Sequence, residues 1–203
     1  MTKEAPEGTR LIVVPSRLVD RLRAVVVRRG ISVSDYAVEA LEQALRAEGH
    51  GASLQEAVDL YRLVEIQRGA GAVQLPRSSL DRLVGELYPE NGEELRRIWS
   101  DSGLWYGEYL RAKLRGEDVL GFLKKALLVS WNLDEVEIKD DGSDVALRFA
   151  SFVMSLESTE LLVSYVSGVM NSLGYEEVER DYLRGVATVR YMRRREQRRH
   201  HKI

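Results

Sequence analysis

Within the first thirty residues, a short β-prone segment is followed by an amphipathic helical pattern. Residues 9–14, TRLIVV, are rich in β-branched side chains and end at Pro15, so they predict a short strand. Apolar residues then recur at helical spacing, which predicts a helix from a capping Ser16 to about Arg29, closed by a left-handed Gly30. The apolar face of this helix consists of Leu18, Leu22, Val25 and Val26.

A second and a third helix are expected from the residues that follow. Ser32 and Asp35 have the spacing of a capping box, which predicts a helix from there to about Ala47. A linker helix is then expected from Ser53 to about Gln67, where glycines interrupt the periodic pattern. The inward positions of the second helix are Ala37, Leu41, Ala44 and Leu45.

The chain contains an internal repeat. The segment VQLPRSSLDRLV echoes VVPSRLVDRLRA, with four identical residues at a fixed offset of sixty-one positions. In the second copy Pro89, Asn91 and Gly92 are expected to end one helix before another begins. The repeat therefore predicts a second, degenerate strand–helix–helix unit at about 71–115. The repeated residues are Pro15, Asp20, Arg21 and Leu22, which recur as Pro76, Asp81, Arg82 and Leu83.

The last third of the chain has a different pattern. A helix through Leu127 precedes two β-prone runs around an Asp-Gly turn, and a helix from Ser158 to Leu173 precedes the β-rich stretch GVATVRYM. This order predicts a small ββαβ module, so the whole chain is expected to be an α+β protein that is helix-rich in its first half. The expected divisions are a first unit at 1–50, a linker helix and second copy at 51–116, the module at 117–192 and a basic tail at 193–203.

Composition narrows the class of protein. The absence of cysteine excludes disulfides and thiolate metal sites. No apolar run is long enough to span a bilayer and the amino terminus has no signal pattern, so a cytoplasmic protein without membrane contact is expected. The net charge is −2, yet the last fourteen residues hold seven basic side chains and one acidic. This tail fits either nonspecific nucleic-acid contact or a solvated terminus.

No combination of residues favours catalysis, a metal or a cofactor. The three histidines lie in an expected loop and in the tail, without a triad spacing. The acidic residues Asp140, Asp141 and Asp144 lack the spacing of a calcium loop and are interpreted as a hairpin turn. The glycines at 69–71 lack the strand and helix context of a dinucleotide site. The protein is therefore not expected to be an enzyme, and no catalytic residue, metal or cofactor is assigned.

Two further patterns concern the packing of apolar side chains. Trp99, Trp105, Tyr106 and Tyr109 recur at helical spacing and are interpreted as core residues. The apolar residues of the carboxy-terminal module fit either a core or the lining of an apolar pocket. A small ligand or a protein partner at this module is therefore left open.

The first unit resembles the ribbon-helix-helix family of transcriptional regulators, of the Arc, MetJ and CopG kind. The resemblance rests on a strand closed by VPSRLVD and followed by RRGISVSDYAVEALEQAL, over residues 9–47. In that family two strands pair as a ribbon in the DNA major groove, and the amino end of the second helix binds a phosphate. The resemblance implies DNA contacts by Thr9, Leu11 and Val13 on the ribbon, by Ser32, Val33 and Ser34 at the helix, and by Gln74 and Arg77 in the second copy.

This resemblance implies a DNA-binding transcriptional regulator, a repressor that acts as a homodimer. The ribbon could form between 9–14 and its own copy in a second chain, or between 9–14 and 71–75 of the same chain. Because Leu11 and Val13 offer DNA only apolar contact, the alternative is a ribbon-helix-helix scaffold used for protein–protein interaction or assembly without sequence-specific DNA binding.

Overall fold

A computed structural model describes Gly8, Arg10 and residues 12–194. The chain divides into two compact units between Tyr61 and Arg62. The pattern of the sequence predicted unit boundaries near residues 50, 116 and 192. No division occurs near residue 116 because the helices on either side of that position belong to one hydrophobic core.

The first unit contains α1 (Ser16–Arg29) and α2 (Val33–Gly49). Gly30 ends α1 with a φ of 67°, and the Ser32 hydroxyl accepts a hydrogen bond of 3.0 Å from the Asp35 backbone N–H. Both predicted helix ends are therefore confirmed. The predicted Ser16 cap is wrong: Pro15 precedes the helix, Ser16 is its first residue, and no side chain caps it.

The strand predicted at 9–14 is absent from the described part of that segment. Arg10 and residues 12–14 have no regular structure, and Val13 is 97% exposed. Thr9 and Leu11, two of the predicted DNA contacts, lie outside the described residues. A strand needs a hydrogen-bonded neighbour, and the described residues of this chain supply none for this segment.

The two helices of the first unit bury very little apolar surface. Of the eight positions predicted to face inward, Val26 alone is buried, while Leu18, Leu41 and Leu45 are exposed. The periodic pattern correctly predicted the helices, but within the described chain their apolar faces are largely uncovered.

After α3 (Leu54–Gly69), residues 71–76 have no regular structure, and α4 runs from Arg77 to Lys113. The predicted helix end at Pro89, Asn91 and Gly92 is wrong. Asn91 leaves helical geometry, with φ −126° and ψ 20°, and the helix then resumes. Proline removes one backbone donor and bends the chain, yet the buried face of α4 continues beyond the kink. The second, degenerate strand–helix–helix copy is therefore not formed.

The remaining elements form a helix-covered antiparallel sheet. Its elements are α5 (Val119–Ser130), β1 (Glu135–Asp140), β2 (Asp144–Ala150), α6 (Leu156–Ser172), β3 (Tyr175–Leu183) and β4 (Val186–Arg193). The described strands lie in the order β1-β2-β4-β3. The module is thus ββαββ, and β3 was missed in the sequence analysis, but the α+β class and the hairpin turn at 140–144 are confirmed.

The core of the second unit lies between this sheet and α4, α5 and α6. Alternate residues of the two central strands point into it, because side chains of a strand alternate between its faces. Helix α6 is buried along most of its length. Among the described residues, no helix has both the length and the apolar character that crossing a membrane requires. The inward strand residues are Val145, Leu147 and Phe149 of β2 and Ala187, Val189 and Tyr191 of β4.

Candidate ligand-binding pocket

Close contact between α4 and α6 positions one wall of a pocket in the second unit. A Cβ atom at Gly103 would overlap the carbonyl oxygen of Tyr165, and one at Gly107 would overlap the hydroxyl of Ser172. Glycine therefore allows the two helix backbones to approach each other. Tyr106, which lies next to Gly107, and Tyr165 are held at this crossing.

Five aromatic side chains line the pocket, whose volume is about 880 Å³. The Tyr165 ring lies 6.1 Å from the Tyr106 ring and 5.4 Å from the Trp131 ring, measured between centroids. These separations are typical of tilted aromatic pairs, so the three rings form a continuous wall. The five side chains are Trp99, Trp105, Tyr106, Trp131 and Tyr165.

Helix α5 and the segment between α3 and α4 complete the lining. Leu123, Ala126 and Leu127 of α5 are buried and give the pocket an aliphatic floor. Residues 70–75, here called the strap, border the pocket from the other side. Val73 of the strap is 81% exposed. The pocket thus has a buried floor and an exposed border.

A few polar groups converge on the same pocket. The Gln67 side-chain amide donates a hydrogen bond to the Ser130 hydroxyl. The Tyr106 hydroxyl is buried, and no described residue lies in hydrogen-bonding geometry with it. Burial raises the pKa of Tyr106 to about 12, and the nearby Gln67 amide opposes this increase. Burial also raises the pKa of Tyr165. Both phenols are therefore neutral at physiological pH.

The described lining of the pocket contains one negatively charged side chain and no positively charged one. Asp101 of α4 is the one charged side chain that lines the pocket in the described part of the chain. No lysine, arginine or histidine of the described residues lines it. The pocket is therefore apolar and aromatic, with one negative group at an exposed position.

The predicted DNA contacts that the structure describes are divided between the two units. Ser32, Val33 and Ser34 lie at the start of α2, and Val13 is exposed in irregular chain. Gln74 belongs to the strap and lines the pocket instead. The structure therefore assigns Gln74 to a different surface from the one that the repeat implied.

Arg77 is engaged within the second unit. Its Nε lies 2.9 and 3.0 Å from the two carboxylate oxygens of Asp81, and Asp81 also accepts a hydrogen bond from the Ser158 hydroxyl of α6. Arg77 thus helps to tie the start of α4 to α6. The Arg77 side chain, which the sequence predicted to contact DNA, is thus partly buried and paired with Asp81 through its Nε.

The pocket was not predicted from the sequence, although its lining residues carry a signal. The helical aromatic stripe was interpreted as core, yet Trp105 is 52% exposed and, like Trp99, borders the pocket. Tyr109 stacks on Trp105 with centroids 5.6 Å apart. The sequence signal for a pocket wall was this aromatic stripe, because the same helix, α4, also carries Gly103 and Gly107 for close packing.

The acidic residues at 140–144 form the predicted turn. The Asp141 carboxylate accepts hydrogen bonds from the backbone N–H groups of Ser143 and Asp144, which lower its pKa. Gly142 has a φ of 94°, as this turn requires. Within residues 12–194 and the two described residues before them, no group of three metal-binding side chains is placed to hold an ion.

Comparison with known proteins gave distant structural matches alone. No protein-family model matches the chain, and no curated protein matches it. One similar solved structure comes from work on heme distortion in the H-NOX family, with 15% identity and a TM-score of 0.38, covering 70% of this chain and 90% of that chain. Another comes from work on heme redox potential and porphyrin distortion, with 12% identity and a TM-score of 0.36, covering 63% and 85%.

The prediction of a DNA-binding transcriptional regulator is wrong. In the described residues, neither segment of the predicted ribbon is a strand, and α4 replaces the second helical hairpin. At TM-scores below 0.4 these similarities assign no function to the chain, so its function is inferred from the pocket itself.

Proposed function

We propose that the second unit is a receptor for a planar aromatic small molecule, which binds in the pocket between α4, α5, α6 and the strap. The observation that carries this proposal is the wall formed by the Tyr106, Tyr165 and Trp131 rings beside two further indoles. Aromatic rings attract other rings through stacked or edge-to-face contacts, in addition to the surface they bury.

The size and polarity of the pocket support binding of one such molecule. A volume of about 880 Å³ falls within the range of about 300–1,000 Å³ typical of small-molecule sites. Such sites combine apolar walls with a few polar groups that orient the ligand. Gln67, Ser130 and Tyr106 supply these groups here.

Heme itself fits this lining poorly. Iron in heme proteins is held by histidine, cysteine, methionine or tyrosine. None of the first three lines the pocket among the described residues. Burial raises the pKa of Tyr106 and so opposes the phenolate that would bind iron. The lining also offers no basic side chain for the carboxylates of heme. We therefore propose a ligand without iron.

The same lining supports binding without chemical conversion. Acid–base catalysis needs a group whose pKa lies near the working pH, and nucleophilic catalysis needs an activated nucleophile. The described lining holds one exposed carboxylate, two neutral phenols and a few hydroxyls and amides. These groups suit recognition of a ligand.

The tryptophans allow a direct test. The chain has three tryptophans, and all of them line the pocket. Titration with acridine, which is planar and uncharged at mildly alkaline pH, should therefore quench nearly all of the tryptophan fluorescence with saturation at one molecule per chain. Linear quenching without saturation would contradict the proposal.

A matched pair of variants assigns the quenching to the pocket. Ser102 lines the pocket on an exposed part of α4, whereas Ala112 is exposed on the same helix outside the pocket. Ser102→Phe should weaken acridine binding at least tenfold because the added ring occupies the cavity. Ala112→Phe should leave it unchanged. Equal affinities of the two variants would place the probe elsewhere.

We also propose that the first unit associates with a second copy of the chain. The exposed Leu18, Leu41 and Leu45 on its two helices support this proposal, because a helical hairpin with one buried apolar side chain gains little from packing. Sedimentation equilibrium should show a dimer that Leu45→Glu weakens and Gln43→Glu, a polar control on α2, does not. A concentration-independent monomer would contradict the proposal.

A further inference from the structure

The negative charge in the pocket lining favours a ligand with a positive charge. Asp101 is the one charged side chain in the described lining, and it is exposed on α4. An anionic ligand would meet this carboxylate without any lysine or arginine of the lining to offset it. A ligand with a positive charge would be attracted to it.

The carboxylate of Asp101 is available to bind such a ligand. Its carboxylate makes no hydrogen bond and no ion pair with another described residue. Arg97 lies near enough for a coulombic interaction with Asp101. The Arg97 guanidinium, however, donates hydrogen bonds of 2.6 and 3.0 Å to the two carboxylate oxygens of Glu94. Arg97 therefore attracts Asp101 through its charge alone, and no hydrogen-bond donor of the described residues occupies the Asp101 carboxylate.

The aromatic side chains of the lining favour the same ligand charge. The face of an indole or phenol ring is electron-rich and attracts cations, and tryptophan does so most strongly. Asp101 and Trp105 are four residues apart on α4, which places them on the same face of the helix. A cation held near Asp101 therefore also lies near an indole of the pocket.

We infer that the pocket selects an aromatic cation, a planar conjugated molecule that carries a quaternary or protonated nitrogen. The ring system packs against the aromatic wall, and the positive charge lies near Asp101. This inference rests on the proposed function, because it names the chemical class of ligand for the same pocket.

The test compares two probes of the same shape and different charge. Acridine and 10-methylacridinium differ by one methyl group and one positive charge, and both quench tryptophan fluorescence. At mildly alkaline pH and low ionic strength, the cation should bind the protein about fivefold more tightly than acridine, as expected for one partly exposed charge pair. Added salt should reduce this preference.

Two variants assign the preference to Asp101. Asp101→Asn removes the charge from the lining with little change in shape, and it should bring the ratio of the two dissociation constants close to one. Glu93→Gln removes one exposed negative charge from the same helix outside the pocket, and it should leave the ratio unchanged.

The outcomes separate this inference from the proposed function. If neither acridine nor 10-methylacridinium binds, the proposed receptor function fails, and the inference fails with it. If acridine binds and 10-methylacridinium binds no more tightly, the inference is overturned while the receptor function stands. Equal loss of preference in Asp101→Asn and Glu93→Gln would also overturn it, because a general surface potential would then explain the selectivity.

Discussion

Gly168 of α6 packs against Ser100 of α4 so closely that a Cβ atom on Gly168 would overlap the Ser100 carbonyl oxygen. Gly168 thus completes a close crossing to which α4 contributes Gly103 and Gly107. The crossing carries both tyrosines of the aromatic wall. Small residues at these positions are therefore a condition for the pocket.

The first prediction concerns this crossing. Gly168→Ala should lower the free energy of unfolding by about 1–3 kcal/mol, because the added methyl group meets backbone that has little room to move. Thermal denaturation followed by circular dichroism measures the effect. Gly85→Ala, on an open part of α4, is the control and should stabilise by about 0.5–1 kcal/mol. Equal melting temperatures for Gly168→Ala and the parent would show that the helices can separate freely.

The second prediction concerns Glu160, which joins three elements. Its carboxylate accepts hydrogen bonds from Arg96 at 3.1 Å, from the Tyr182 hydroxyl at 2.8 Å, and from the Tyr88 hydroxyl. Glu160→Ala should cost about 2–3 kcal/mol in urea denaturation, because it leaves these partly buried donors without their acceptor. Glu160→Gln keeps one oxygen acceptor and should cost less. The same loss in both variants would mean that the charge, and not the acceptor, stabilises the contact.

The third prediction uses the buried hydroxyl of Tyr106. Burial raises its pKa from 10.0 to about 12, so the folded state binds the phenolic proton more tightly than the unfolded state does. The resulting stability is fully present below pH 10 and is lost as the pH rises from 10 towards 12. Tyr106→Phe should therefore lose less stability than the parent between neutral pH and pH about 11.

Urea denaturation at several pH values measures this difference. At neutral pH the Tyr106→Phe substitution should not lower the free energy of unfolding, because no described residue lies in hydrogen-bonding geometry with the hydroxyl. A large loss at neutral pH would reveal a hydrogen bond that Tyr106 makes in solution.

The fourth prediction tests the start of α2. The Ser32 hydroxyl accepts the Asp35 backbone N–H, so Ser32→Ala should destabilise this helix by about 0.5–2 kcal/mol. Ser34→Ala, in the first turn of the same helix, should have a smaller effect because its side chain caps nothing. Helix loss on heating, measured by circular dichroism on the full chain, should begin at a lower temperature in Ser32→Ala alone.

Features set by neighbouring residues were the ones that the sequence predicted well. Gly30 and Ser32 mark the ends of α1 and α2 through their own conformation and hydrogen bonding, and both were identified. The Asp-Gly turn at 140–144 was identified for the same reason. The kink at Asn91 was mistaken for a helix end, because the packing that continues α4 comes from α6, which is distant in sequence.

The site was harder to predict because it depends on tertiary contacts. Trp99 and Trp105 have the spacing of a core stripe, but Trp99 is half-buried, Trp105 is exposed, and both border the pocket, because α5 and the strap leave a cavity beside them. Trp131, which completes the aromatic wall, lies at the carboxy-terminal end of α5. A period in the sequence identifies a helix face, but it does not show whether that face meets a neighbour or a cavity.

Strand β3 was missed because its composition is that of a charged surface. Residues 176–181 read EEVERD, and most of the strand is exposed, with Tyr175 and Tyr182 as its inward anchors. Its pairing with β4 is also irregular between Glu177 and Glu179. A strand at the edge of a sheet needs few apolar residues, so periodicity gave too weak a signal.

The same charged, irregular strand has a consequence for the behaviour of the protein at high concentration. Every sheet edge has unpaired backbone groups that can template another strand and lead to fibrous aggregates. Along β3, Glu176 and Glu179 would bring like charges together if two copies met edge to edge, and the bulge breaks the straight row of donors and acceptors. This edge therefore discourages growth of the sheet from one molecule to the next.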